Sequence, residues 1–274
     1  MESHQFHPRA ISELASALAT EAFAAGTKNA RTFFATSLDE PTENALAQAE
    51  WASRHGARVE IEQRLLDVHD SWEARAQAAA QTGDLETAIQ NAWDWLRAEP
   101  FSSRPAIFGS HEAALARHYD TAAAFALAGL VANPHKTLLR NNLVFALASA
   151  GRIDEAEEHL RLIGARPVED ELRLVVIATK GLVAFRRGQL SVGRQLYSEA
   201  IEGAKDPTLR AIAAIVLARE EIRANPVLAA AARKTADNLA EAAKGSPSAL
   251  SENLLAWLAH LDAEIDAGKR EGPA

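Results

Sequence analysis

The chain has 274 residues, no cysteine, 48% hydrophobic residues of which few are aromatic, and a formal net charge of −8. The missing cysteine excludes disulfides and thiolate-ligated metal sites. The acidic balance, without any cluster of Lys or Arg, argues against a nucleic-acid backbone as partner. Abundant Ala, Leu, Glu and Arg predict a helical protein.

The opening Met-Glu-Ser-His-Gln-Phe-His has no basic region leading into an apolar one, and the longest near-apolar run, Ala122 to Ala132, is well short of the ~20 residues of a membrane span. A soluble, cytoplasmic chain is expected. Residues 1–40 read as an N-terminal helical cap, with Ile11, Leu14, Leu18 and Ala22 on one face. Pro41 to His55 reads as a helix with Ala45, Leu46 and Trp51 inward, paired with a short Lys28 to Ser37, and Gly56 to Asp70 as a longer connection.

From there a spacing recurs. Pro100 and Pro134 lie 34 positions apart, Gly83 and Gly151 lie 68 apart, and Pro167 closes the next unit. A fixed period of this length predicts stacked helical hairpins. With Gly83, Gly151 and Gly188 as turn residues, the first helices are Trp72 to Gln81, Ser103 to Arg117, Thr137 to Ser149 and Leu174 to Arg187. The second helices are Leu85 to Ala98, Tyr119 to Ala132, Ile153 to Ile163 and Leu190 to Ala204. Glycine suits these turns because it enters the left-handed C-cap conformation that a β-carbon resists.

Small residues fall where paired helices cross: Ala76, Ser110 and Gly181 in first helices, Ala88, Ala122, Ala156 and Gly193 in second helices. Leu85, Tyr119, Ile153 and Leu190 are expected to seal the hairpins, and the same register buries Trp72. Beyond Pro207 the pattern decays. Asn225-Pro226 is a good N-cap and first-turn pair, and Ser246-Pro247-Ser248 opens a last helix with Leu250, Leu254, Trp257, Leu258, Leu261 and Ile265 on one face. That helix is expected to cap the array, followed by a frayed tail from Gly268.

Trp72, Gly83, Ala88 and Pro100 stand in the order and spacing of the tetratricopeptide repeat, and Asn141 to Leu147 followed by Gly151-Arg152-Ile153-Asp154-Glu155-Ala156 resembles its most typical form. The resemblance covers roughly His69 to Pro207. It implies an all-α, right-handed superhelical solenoid of antiparallel helix pairs with terminal capping helices. The repeat array is read over 41–207, a degenerate repeat and cap over 208–268, and a flexible tail over 269–274. Departures are Val144 where glycine is usual, Arg117 in place of a turn glycine, and a spacing of 37 from Gly151 to Gly188. The three extra residues fit in the connection from Pro167 to Glu171.

In this family the first helix of each pair lines a concave groove. Carried over by register, that face bears Gln77 and Gln81 beside Glu73, then Arg104, Phe108 and His111, then Asn141, Asn142 and Phe145, then Thr179, Leu182 and Arg186. Phe108, Phe145 and Leu182 are apolar pockets in that register, or core residues if the helices turn by one position. Asn142 offers an amide to a peptide backbone, and Arg104 and Arg186 are placed to hold a carboxylate. The basic clamp by which family members grip a chaperone tail is absent, because Ile107, His111, Val175 and Thr179 stand where it needs Lys, Asn, Lys and Arg.

Catalytic signals are weak. There is no Walker loop and no GxGxxG, and Phe108-Gly109-Ser110-His111 lacks the second glycine and the strand of a nucleophile elbow. His4 and His7 lack a third ligand at helical spacing, His111 and His118 read best as surface residues, and Asp154-Glu155-Ala156-Glu157-Glu158 reads as a solvated helix start. The expectation is a non-catalytic scaffold without cofactor or metal that binds a peptide or partner helix. The rivals are a sensor whose curvature changes with a small peptide or ligand, and an accessory subunit of a larger enzyme system.

Overall fold

The computed structural model describes residues 72–164, 170–244 and 253–270. The expected N-terminal cap, the hairpin from Lys28 to His55, the connection to Asp70, Pro167 and the Ser246-Pro247-Ser248 helix start lie outside the described residues, as does Leu250.

Among the described residues the fold is all-helical. The helices are α1 (Trp72–Gln81), α2 (Leu85–Ala98), α3 (Arg104–Leu115), α4 (Tyr119–Ala132), α5 (Thr137–Ser149), α6 (Ile153–Gly164), α7 (Asp170–Arg186), α8 (Leu190–Gly203), α9 (Pro207–Ala224), α10 (Ala229–Ala243) and α11 (Leu254–Arg270), with a 3₁₀ turn at Pro226–Leu228 before α10. Asp170 and Glu171, expected in a connection, begin α7, and α11 continues through Gly268 to Arg270.

Local chemistry sets the ends. Gly83, Gly151 and Gly188 have φ of 78°, 85° and 77°, and Arg117 takes the same left-handed conformation at φ 64°. Each turn carries the same pair of hydrogen bonds: after α1, Asp84 N donates to Ala79 O and Gly83 N to Ala80 O, and after α3, His118 N donates to Ala113 O and Arg117 N to Ala114 O. This is the Schellman arrangement, which satisfies carbonyls that a helix end leaves open. Starts are capped as well: Asp84 Oδ1 accepts from Thr87 N at 3.1 Å, Asp206 Oδ1 from Thr208 N at 2.8 Å beside Pro207, and Asn225 Oδ1 from Val227 N at 3.2 Å beside Pro226.

Helices pack in neighbouring pairs: α1 on α2, α3 on α4, α5 on α6, α7 on α8 and α9 on α10. The first members of successive pairs also touch in series, α3 on α5, α5 on α7 and α7 on α9. The predicted small residues Ala76, Ala88, Ser110, Ala122, Ala156, Gly181 and Gly193 are all buried. A Cβ at Gly193 would lie 2.4 Å from the Phe185 ring, so α7 and α8 approach as closely as they do only because that position is bare. One apolar cluster runs from Ile89 in α2 to Leu261 in α11. Trp72 departs from its expected full burial: it is half-buried, with the Arg75 guanidinium 4.8 Å from its ring centroid.

α11 packs on α9 and α10. It also reaches much further back, and this decides the shape of the candidate site.

Candidate functional site

A cavity of about 1030 Å³ opens on the side of the first helices. Of the residues expected on the inner face, Gln77 and Gln81 of α1, Arg104, Phe108 and His111 of α3, Asn141, Asn142 and Phe145 of α5, and Thr179 of α7 line it. Leu182 and Arg186 do not. Leu182 is 0% exposed and belongs to the core. Arg186 is turned toward α9, where its Nε lies 2.7 Å from Glu220 Oε2, so it is not available to hold a ligand carboxylate.

Other predicted contacts are committed within the fold. Arg104 pairs with Glu73 across α1 and α3, and its guanidinium lies 5.5 Å from the Trp95 ring. Asn142 Nδ2 donates to Ser110 Oγ at 2.9 Å, and Ser110 Oγ donates to Ile107 O at 2.9 Å. Ser110 is therefore a packing hydroxyl in mid-helix, bonded to its own turn. Thr179 Oγ1 likewise donates to Val175 O at 3.1 Å.

The largest addition is the C-terminal helix. Trp257 lines the cavity, with its ring edge-on to His111 at 6.3 Å and to Phe145 at 5.9 Å. One turn on, His260 Nε2 lies 2.7 Å from Leu115 O, a carbonyl of the last turn of α3. A further turn on, Glu264 lies 3.5 Å from Arg117 and 3.3 Å from Arg223. Trp257, His260 and Glu264 share one helical face because they are three and four residues apart. Burial holds the His260 imidazole down at about 4, with the Arg219 and Arg117 charges acting in the same direction and the Leu115 hydrogen bond opposing them. It is neutral at pH 7 and donates its Nε2–H to Leu115.

Beneath the cavity lies a charged group in the core. Arg219, 2% exposed, donates to Glu220 at 2.9 Å, to Tyr119 Oη at 3.2 Å and to Ser149 Oγ at 3.4 Å, with its guanidinium 5.6 Å from the Phe145 ring. Glu220 thus bridges Arg219 and Arg186, and two positive charges share one buried carboxylate. Sequence reading passed over this group. A signal was present: Ala211, Ile215, Arg219 and Ile222 fall on one helical face, and a charge on an apolar face demands a buried partner.

The cavity is also walled by the apolar Phe108, Phe145, Ile212, Val216 and Trp257, with the charged Arg173 on α7 and Lys205 and Asp206 at the α8–α9 connection. No group of three His, Cys, Asp or Glu capable of holding a metal occurs among the described residues. His118 is exposed at the start of α4, 3.4 Å from Glu86. In the acidic run, Asp154 and Glu157 pair with Arg187 and Glu155 with Arg152 on the surface. No helix among the described residues is long and apolar enough to cross a membrane.

Compared with models of known protein families and with curated proteins, the chain matches none.

Proposed function

We propose that the protein is a non-catalytic scaffold of tetratricopeptide type, a right-handed stack of helix pairs that holds an extended peptide or a helix of a partner protein against its first helices. The observation that carries this reading is the cavity of about 1030 Å³, to which α1, α3, α5, α7 and α9 all contribute. Its walls, apolar in large part with amides and charged side chains placed among them, suit a peptide-binding groove. The repeating left-handed turns at Gly83, Arg117, Gly151 and Gly188 support the repeat reading.

The test is affinity capture from native lysate with the wild type and with Leu138→Glu, which puts a charge on the cavity wall. A protein retained by the wild type and lost with the variant, at an unchanged melting temperature, supports the groove. Equal retention by both counts against it.

One observation favours a second reading, a sensor that changes shape on binding. Trp257 sits against His111 and Phe145, so a ligand that claims this end of the cavity must move α11. A change in scattering radius on ligand addition separates the sensor from the plain scaffold.

A further inference from the structure

One residue of the cavity wall, Glu112, has a buried carboxylate with an unpartnered oxygen. Glu112 is 3% exposed, its Oε1 lies 3.0 Å from His111 Nδ1, and its Oε2 has no hydrogen-bond donor. On the neighbouring helix α5, Asn141 is also 3% exposed, and its Oδ1 has no donor either. Both residues line the same cavity. A buried carboxylate oxygen without a donor, like a buried amide oxygen without one, is costly, and each is relieved by a ligand that brings what is missing.

Two donors on the cavity are in the complementary state. The indole Nε1–H groups of Trp95 and Trp257 are buried without an acceptor, and both residues line the cavity. The unpaired set is therefore two acceptors, one of them a carboxylate, and two neutral donors among aromatic rings. A metal ion would leave the indoles unanswered, and an acidic ligand would oppose Glu112. A peptide answers both halves: its backbone carbonyls accept from the indoles, and a basic side chain donates to Glu112 and Asn141. Arginine suits best, because its planar guanidinium offers several donors at once and rests flat on aromatic faces.

We propose that the groove selects peptides carrying an arginine, whose guanidinium is received by Glu112 and Asn141. This rests on the peptide-binding reading above and adds its specificity.

The test uses the full chain and two synthetic probes, acetyl-Ala-Leu-Ala-Arg-Ala-Leu-Ala-amide and the same peptide with citrulline, the neutral isostere of arginine. Titration calorimetry is expected to show the arginine peptide binding about tenfold or more tightly, as a hydrogen-bonded charge pair should provide. Glu112→Gln is expected to bring that ratio close to one, and Asn141→Leu to weaken both peptides. The chain's net charge of −8 draws any cation weakly, and Glu112→Gln, which removes one charge of many, separates that background from a defined contact.

Equal binding of the two peptides by the wild type overturns the arginine site while leaving the groove reading standing. Binding of neither overturns both. A preference that survives Glu112→Gln overturns the assignment to Glu112. As a readout that needs no variant of Glu112, the indole N–H resonance of Trp257, assigned with Trp257→Phe, is expected to move on titration of the arginine peptide into wild type. Binding that leaves it unmoved places the peptide elsewhere and also overturns the proposal.

Discussion

His260 and Leu115 stand 145 positions apart in the chain, yet the imidazole Nε2 lies 2.7 Å from the Leu115 carbonyl oxygen. This bond ties the last described helix to the second helix pair.

Acid should loosen that tie. Because the folded state holds His260 at about 4 against 6.5 for the free side chain, the unfolded chain binds the extra proton first. The contribution is complete above pH 6.5 and is lost as pH falls toward 4, with a ceiling on the order of 3 kcal/mol. Urea melts from pH 7 to pH 4 should show this loss in the wild type. In His260→Gln, whose amide still donates to Leu115 but does not titrate, the slope should be shallower over the same window.

Arg117→Gly should stabilise the protein. Arg117 occupies the left-handed conformation at φ 64°, which costs a residue with a β-carbon roughly 1 kcal/mol. Its ion pair with Glu264 at 3.5 Å is half-exposed and returns only a few tenths. A rise in melting temperature of about 1–4 °C is expected, and a fall would mean that the Glu264 contact outweighs backbone strain.

Gly193→Ala and Gly164→Ala should differ sharply. The first places a Cβ 2.4 Å from the Phe185 ring, whereas the second meets nothing within 4 Å. Denaturant midpoints should fall by the equivalent of about 1–3 kcal/mol for Gly193→Ala and stay level or rise for Gly164→Ala.

Reversing Arg186 should destabilise the fold strongly, whatever it does to a ligand. Arg186→Glu removes the cation 2.7 Å from Glu220, which is 2% exposed, and sets a like charge near it, while Arg219 stays as its partner. A loss of about 3–5 kcal/mol is expected in urea denaturation. A near-neutral result would show that Glu220 can turn to solvent.

Helix boundaries were legible because their causes are local. Tyr119–Ala132 and Thr137–Ser149 run between the residues that their turn and cap signals indicate, and Arg117 takes the conformation of the glycine it replaces. The inner face was legible as a face, since Phe108, His111 and Phe145 do line one cavity. Leu182 was assigned to that face and lies in the core, because one step of helical rotation separates the two and periodicity alone does not resolve it.

The sequence by itself determined where the helices with turn or cap signals begin and end (though not the start of α7 or the end of α11), which positions are small enough to let them cross, and that Trp257, Leu258 and Leu261 of the last helix seek burial. Only the tertiary structure decided what they are buried against. Apolar burial is non-directional, so a helix's apolar face does not name its seat. The seat was chosen by contacts remote in sequence: His260 with Leu115, Trp257 with His111 and Phe145, and Glu220 between Arg186 and Arg219.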